Sequence, residues 1–406
     1  MTDRADVLIV DDDAALNGML AEFFSGQGLR VVTTEWAAEA VELARLHQPR
    51  VVLLDIVMPG MDGLTVCHAI KTDPELGQTR VLVMSSKDFE VERSRAKAMG
   101  AEGFLPKPVS PEALLRQIQA MLAETLTVRM WGTRGSIPAP GPETLRYGGN
   151  TLCVTVRLST GRLLIFDAGS GIKRLGRALI QEGRPVDADI LLTHFHWDHI
   201  QGLPFFVPAY RMGTRLRIYG CEYADIKLHQ IIANQMESVY FPVPLPTLAA
   251  DIRFQPLTEG HYAFDDFELD TLYLQHPGTT IGYRLRRAGK TLAYVTDNEL
   301  GIIEGEPTPE VRRVVEFSRG ADLLIHDTQF TRAQYSAVRG WGHSCYEDVV
   351  RLGALARVRR LCFFHHDPDR TDDEIDALVA AQRRHLAEIG SAVECFAAQE
   401  GMVIDL

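Results

Sequence analysis

The chain has 406 residues, 46% of them hydrophobic, which is long for one domain and enough for two with a core each. Its formal charge of -12 provides no basic field for long nucleic acid or an anionic membrane surface, so neither is expected as a partner. Six cysteines are scattered without a CxxC pair, the N-terminal apolar run is too short for a signal peptide, and no run approaches the ~18 residues of a membrane span. Core cysteines and a cytoplasmic location follow as expectations.

In a first domain, residues 1–123, the apolar runs VLIV (7–10), VVLL (51–54) and VLVM (81–84) alternate with helix-like segments at 13–25, 36–47, 64–71 and 110–123. This rhythm predicts an α/β fold with a doubly wound parallel sheet. Ligands of such sheets bind at the carboxyl ends of the strands, and those ends carry Asp11 and Asp12, then Asp55, then Ser85, with Lys107 in GFLPKP after a further short strand. Carboxylates at this density repel unless a hard cation sits among them, and Mg²⁺ suits an all-oxygen set.

In order and kind, Asp11/Asp12, Asp55 in LLDIVMPGMDG, Ser85 and Lys107 followed by Pro108 resemble a response-regulator receiver domain of (βα)5 fold. The resemblance implies that Asp55 accepts a phosphoryl group from a cognate histidine kinase and that Asp11 and Asp12 hold Mg²⁺. It also implies that Ser85 and Lys107 stabilise the added charge, and that Phe104 takes the switch-aromatic position, where tyrosine is commoner.

Helix 110–125 runs almost directly into TVRMWG, with no Gly/Ser linker, so a second domain over 127–406 is expected to be coupled to the first. Strand signals follow at 151–158, 162–169, 189–194, 216–220, 268–276, 280–287, 290–297, 322–327 and 360–366. Several end on histidine or aspartate. The third ends in LLTHFHWDHIQGL, whose His194, His196, Asp198 and His199 place four potential ligands for Zn²⁺, Mn²⁺ or iron on one loop. One loop cannot enclose two ions, but His276 (LQHPG), Asp297 (YVTDNE) and His365 (FFHHDP) stand at other strand ends. His261, His326 and His366 read as ordinary packed histidines.

Together these motifs resemble the metallo-β-lactamase-fold hydrolases, an αβ/βα sandwich, from about residue 129 onward. The resemblance implies two divalent transition metals: one on His194, His196 and His276, the other on Asp198, His199 and His365, with Asp297 bridging. Asp198 belongs to the catalytic set as well. The run DLLIHDTQF…GHSCYEDVV…FFHHDP is similar to the RNase Z-like and phosphodiesterase branch, which implies His343 as proton donor, oriented by Asp327 where that branch has glutamate. GTRGSIP (132–138), YGGNT (147–151) and FDAGSG (166–171) match the opening strands of the fold, with glycines where backbone passes beneath the metals.

The function expected is a dinuclear phosphodiesterase acting on a small nucleotide, cyclic ones included, and regulated by Asp55, with a homodimer as one form the response can take. A ribonuclease, a lactone or thioester hydrolase, and a metal-stabilised signalling module without catalysis are the alternatives. A redox di-iron enzyme of this fold would place glutamate where His196 stands. The segment MESVYFPVPLPTL (236–248) reads either as packing or as a lid whose Tyr240 and Phe241 stack on a base.

Overall fold

The computed structural model describes residues 4–76, 79–86, 90–122, 125–224 and 226–406. The chain divides into two compact units, Met1–Glu124 and Thr125–Leu406. The end of the helix expected over 110–125, including residues 123 and 124, lies outside the described residues.

The first unit is a five-stranded parallel sheet of β1 (Val7–Val10), β2 (Val31–Thr34), β3 (Val51–Asp55), β4 (Arg80–Ser85) and β5 (Gly103–Pro106), in the order β2-β1-β3-β4-β5. Both faces are covered, which is why β1, β3 and β4 read as unbroken apolar runs. Val7, Ile9, Val51, Leu53, Leu82 and Met84 face helices α1 (Ala14–Gly26) and, beyond three intervening helices, Pro111–Leu122. Leu8, Val10, Val52, Leu54, Val81 and Val83 face the opposite side. There they meet helices Ala40–His47 and Gly63–Thr72. The apolar rhythm does not predict helix Glu90–Ala98, because EVERSRAKA buries only Ala96. β2 was equally silent, its VVTT being mostly half-exposed.

The second unit stacks two seven-stranded sheets. The first holds β6 (Leu126–Gly132), β7 (Cys153–Leu158), β8 (Leu163–Phe166), β9 (Asp187–Leu191), β10 (Arg215–Gly220) and β11 (Asp251–Pro256). The second runs in simple chain order through β12 (Gly260–Ala263), β13 (Glu268–Tyr273), β14 (Ile281–Arg287), β15 (Lys290–Val295), β16 (Leu323–Asp327), β17 (Arg360–Phe364) and β18 (Glu394–Ala397). β19 (Val403–Asp405) returns to pair with β6. Val128, Val154, Val156, Leu164 and Phe166 from one sheet meet Tyr283, Leu285, Leu292, Tyr294, Ile325 and Phe364 from the other in a shared core. Helix Ile172–Gln181 covers the outer face of the first sheet, and helices Pro309–Ser318, Tyr346–Ala356 and Asp372–Glu388 cover that of the second. The result is the αβ/βα sandwich expected. All six cysteines are buried and free.

β15, β16 and β17 are parallel neighbours, as are β8 and β9, so their carboxyl ends line up on one edge of the sandwich. That alignment positions the site. No helix among the described residues is long and apolar enough to cross a membrane.

Candidate active site

In the first unit, Asp11, Asp12 and Asp55 bring carboxylate oxygens within 4.8 Å of one another at the ends of β1 and β3. Lys107, just past β5, reaches Asp11 Oδ2 at 2.7 Å and Asp55 Oδ2 at 2.9 Å. Burial raises the pKa of Asp55 despite Lys107, and Asp11 pushes the same way. An oxygen-only set with a strained balance of charge suits Mg²⁺. Ser85 is fully buried at the end of β4. Phe104 is half-buried on β5, with Arg93 over its ring at 5.7 Å. Gly63 packs so closely that a Cβ there would stand 2.0 Å from the Asp55 carbonyl oxygen, which explains the glycine of MDG.

In the second unit, among the described residues, the strand ends gather three overlapping groups that could hold a metal: His194, His196 and His276; Asp198, His199, Asp297 and His365; and His276, Asp297 and His343, each with donor atoms within 4.8 Å. His194 follows β9 through Leu192 and Thr193, Asp297 follows β15, and His365 follows β17. Asp167, Asp297 and His365 all take left-handed backbone, with φ of 59°, 56° and 58°, so the chain is strained where it turns side chains into the site.

Outer partners fix the imidazoles. His276 Nδ1 donates to the Gly342 carbonyl at 2.9 Å, which leaves Nε2 as the acceptor atom. His199 Nδ1 lies 3.0 Å from Asp167 Oδ2. Asp167 in turn accepts from Thr193 N, Thr193 Oγ1 and the Tyr294 hydroxyl at 2.9–3.0 Å. Ser136 N donates to Asp198 Oδ2 at 2.8 Å. A Cβ on Gly135 would meet the His365 ring at 2.1 Å, and one on Gly342 would meet His276 Nδ1 at 2.1 Å, so both glycines make room for ligands.

The donor chemistry fits transition metals. His194 Nε2 is buried and makes no hydrogen bond, an expensive condition that a bound cation relieves, and His199 Nε2 faces only the Asp297 and Asp198 carboxylates, at 3.2 and 3.5 Å. Electrostatics separates the first two of these groups. Burial lowers the pKa of His194, His196 and His276, leaving neutral nitrogen donors. Burial acts in the same sense on His199 and His365, but Asp297 and Asp198 overcome it, raising His199 well above its usual range and His365 to about 10. For Asp198 and Asp297 burial raises the pKa, yet the same imidazoles hold both below the carboxylate range.

His343 stands beside the cluster. Its Nδ1 is 3.6 Å from Asp327 Oδ2 and 3.8 Å from Asp297 Oδ1, and its ring stacks on His365 at 4.8 Å between centroids. Asp327, at the end of β16, accepts from Asn298 N at 3.1 Å and Ser344 N at 2.9 Å. His326 and His366 are buried and bonded to the carbonyls of Asp327 and Ala398, and His261 pairs with Asp270 on the surface.

Two functional residues escape the sequence reading. Asp167 sits in FDAGSG at a strand end, the same signal that marks Asp297. Glu299 carries no such mark, yet it accepts from Tyr335 hydroxyl at 2.7 Å and from Gly340 N and Gly342 N at 2.9 Å. It thereby ties the Asp297 turn to the loop that supports His276 and presents His343.

The sequence model of the response regulator receiver domain matches residues 7–119, and that of the beta-lactamase superfamily domain matches residues 162–366. The chain belongs to the beta-lactamase superfamily, with a receiver domain preceding its metallo-β-lactamase-fold unit. The first unit is 38% identical over 119 residues to protein PilH of Pseudomonas aeruginosa, a match covering 29% of this chain and 98% of PilH. It is 34% identical over 119 residues to response regulator MprA of Mycobacterium leprae, which uses 29% of this chain and spans 51% of that regulator. The second unit shares its fold with the metallo-beta-lactamase fold protein YhfI of Bacillus subtilis, at 20% identity and a TM-score of 0.50, covering 70% of this chain and 100% of YhfI. Unliganded yeast PDE1 shares it at 14% identity and a TM-score of 0.51, with the same coverage.

The carboxylates of Asp297 and Asp198 favour the protonated forms of His199 and His365, so a metal entering this group should release protons. Calorimetric titration of metal-stripped protein with Zn²⁺ should give a binding enthalpy that varies with the ionisation enthalpy of the buffer. A buffer-independent enthalpy would mean that His199 and His365 are not protonated in the metal-free protein.

Proposed function

We propose that the chain is a response regulator whose second unit is a dinuclear metal-dependent phosphodiesterase for a small nucleotide, cyclic ones included, under control of Asp55 phosphorylation. The observation that carries this reading is the gathering of potential metal ligands around Asp297, with the His343–Asp327 pair beside them.

His194, His196 and His276 would hold one ion, and Asp198, His199 and His365 the other, with Asp297 turned toward both. Bound there, the two cations would acidify water to supply a nucleophile near neutral pH and polarise a phosphoryl oxygen. The protein contributes position and protons. Asp167 and the Gly342 carbonyl hold His199 and His276 in the tautomers that present Nε2 inward. His343 gives a proton to the departing alkoxide, and Asp327 orients the ring from ion-pair distance while its own oxygens are pinned by two backbone amides. Glu299 positions this loop through three hydrogen bonds. Control begins when Asp55 takes a phosphoryl group from its kinase, with Mg²⁺ on Asp11 and Asp12 and the new charge met by Lys107 and Ser85.

His343→Ala should lower turnover of a phosphodiester by roughly 10²–10⁴-fold while metal content stays near that of the wild type. Loss of metal would make His343 a ligand rather than a proton donor. Hydrolysis of a lactone, a thioester or RNA in preference to small phosphodiesters would redirect the assignment.

For regulation, wild type and Asp55→Asn are compared before and after treatment with a small phosphoryl donor and Mg²⁺. A coupling of about 1–3 kcal/mol would change substrate affinity about 5- to 150-fold in wild type only. Phosphorylation that alters neither kinetics nor oligomeric state would mean that the receiver does not govern the second unit.

A further inference from the structure

A cavity of about 850 Å³ opens directly from His194 and His196. Its walls come partly from the metal-binding motif itself. In HFHWDH, Phe195 and Trp197 stand between the candidate ligands His194, His196 and Asp198 and face this cavity, Trp197 with 80% of its surface exposed. Phe205, Tyr223, Tyr240 and Phe241 continue the wall. The Phe205 and Phe241 rings pack edge to face at 5.3 Å, and Tyr240 is 77% exposed, so aromatic faces are presented rather than consumed by the core.

Among the described residues, the polar part of the lining is uncharged apart from the site imidazoles. Gln201, Asn234, Gln235 and Thr279 supply amides and a hydroxyl, and the Gln235 amide nitrogen has no acceptor within the protein. None of the eighteen lining residues is lysine or arginine. On the other side of His276 a second cavity of about 460 Å³ sets Arg339 against Glu299 and Glu310, so it gains no positive excess either. A phosphate beyond the metal cluster would lose its water and find no guanidinium or ammonium in return.

We infer that the substrate is a monoanionic phosphodiester whose only charge lies at the metal cluster and whose body, an uncharged planar group of about nucleoside size, fills the aromatic cavity. The inference rests on the phosphodiesterase reading and narrows it. The volume lies in the range of small-molecule sites, aromatic faces accept any base, and the amide side chains of Asn234 and Gln235 offer polar atoms for its edge. A cyclic mononucleotide meets this description. An oligonucleotide or a nucleoside polyphosphate does not.

The test uses the full chain loaded with Mn²⁺ and three esters that share the 4-nitrophenolate leaving group: methyl 4-nitrophenyl phosphate, thymidine 5′-(4-nitrophenyl phosphate), and the latter carrying a 3′-phosphate. The thymidine ester should exceed the methyl ester in kcat/KM by on the order of tenfold or more, and the added 3′-phosphate should cancel that advantage. Tyr240→Ala should shrink the ratio between thymidine and methyl esters mainly through KM, with Tyr240→Phe restoring it. Equal rates on methyl and thymidine esters, or a 3′-phosphorylated ester as good as its parent, would overturn the inference while leaving a phosphodiesterase in place. Turnover of none of the three by protein with bound metal would overturn the phosphodiesterase reading and this inference with it.

Discussion

Asp297 is buried with five imidazoles around it: His199 and His365 at 3.2 Å, His343 at 3.8 Å, His194 and His276 at 3.9 Å. One carboxylate cannot satisfy so many ring nitrogens, and water has little access to help. Like charges at this spacing could not coexist if every ring were protonated. The cluster resolves the conflict by dividing: burial pushes His194 and His276, with His196 beside them, toward the neutral form, while Asp198 and Asp297 favour the protonated forms of His199 and His365. A second carboxylate on one side only is what makes the halves unequal, and it gives each half a donor set of its own.

The surrounding fold serves this crowding. Parallel strands β15, β16 and β17 end at one level, so Asp297, Asp327 and His365 arrive together from distant parts of the chain. Sharp turns in left-handed backbone at Asp167, Asp297 and His365 store strain at the site, and a large core between the sheets balances it elsewhere. The same logic shapes the receiver unit on a smaller scale. Asp11 and Asp55 sit at the ends of adjacent parallel strands, and Lys107 reaches across to both. In both units, polar groups too close for comfort without a cation stand at the carboxyl edge of a sheet whose interior is mostly apolar.

Much of this was legible in the sequence because buried strands and metal chemistry leave local marks. VLIV, VVLL and VLVM announce β1, β3 and β4, and the His-x-His-x-Asp-His loop announces a metal site without help from any other segment. What remained hidden depends on contacts across the fold. Helix Glu90–Ala98 has no apolar stripe to read, since it buries a single alanine. Glu299 acts through backbone amides at 340 and 342, more than forty residues away, and an exposed-looking glutamate gives no hint of that. The roles of Gly135 and Gly342 exist only once histidine rings lie against them. Tyr240 and Phe241 were open to two readings in the sequence; the structure puts them on the wall of the cavity that starts at His194 and His196.

The shared position of Asp297 is the feature most exposed to disproof. Full-length protein stripped by chelator, reloaded with Zn²⁺ and desalted should retain two ions per chain in the second unit. The Asp297→Ala variant should retain fewer than one, while its receiver still accepts a phosphoryl group at Asp55 as a sign that the chain is folded. Two ions retained by the variant, or none by the wild type, would contradict a dinuclear centre built around this carboxylate.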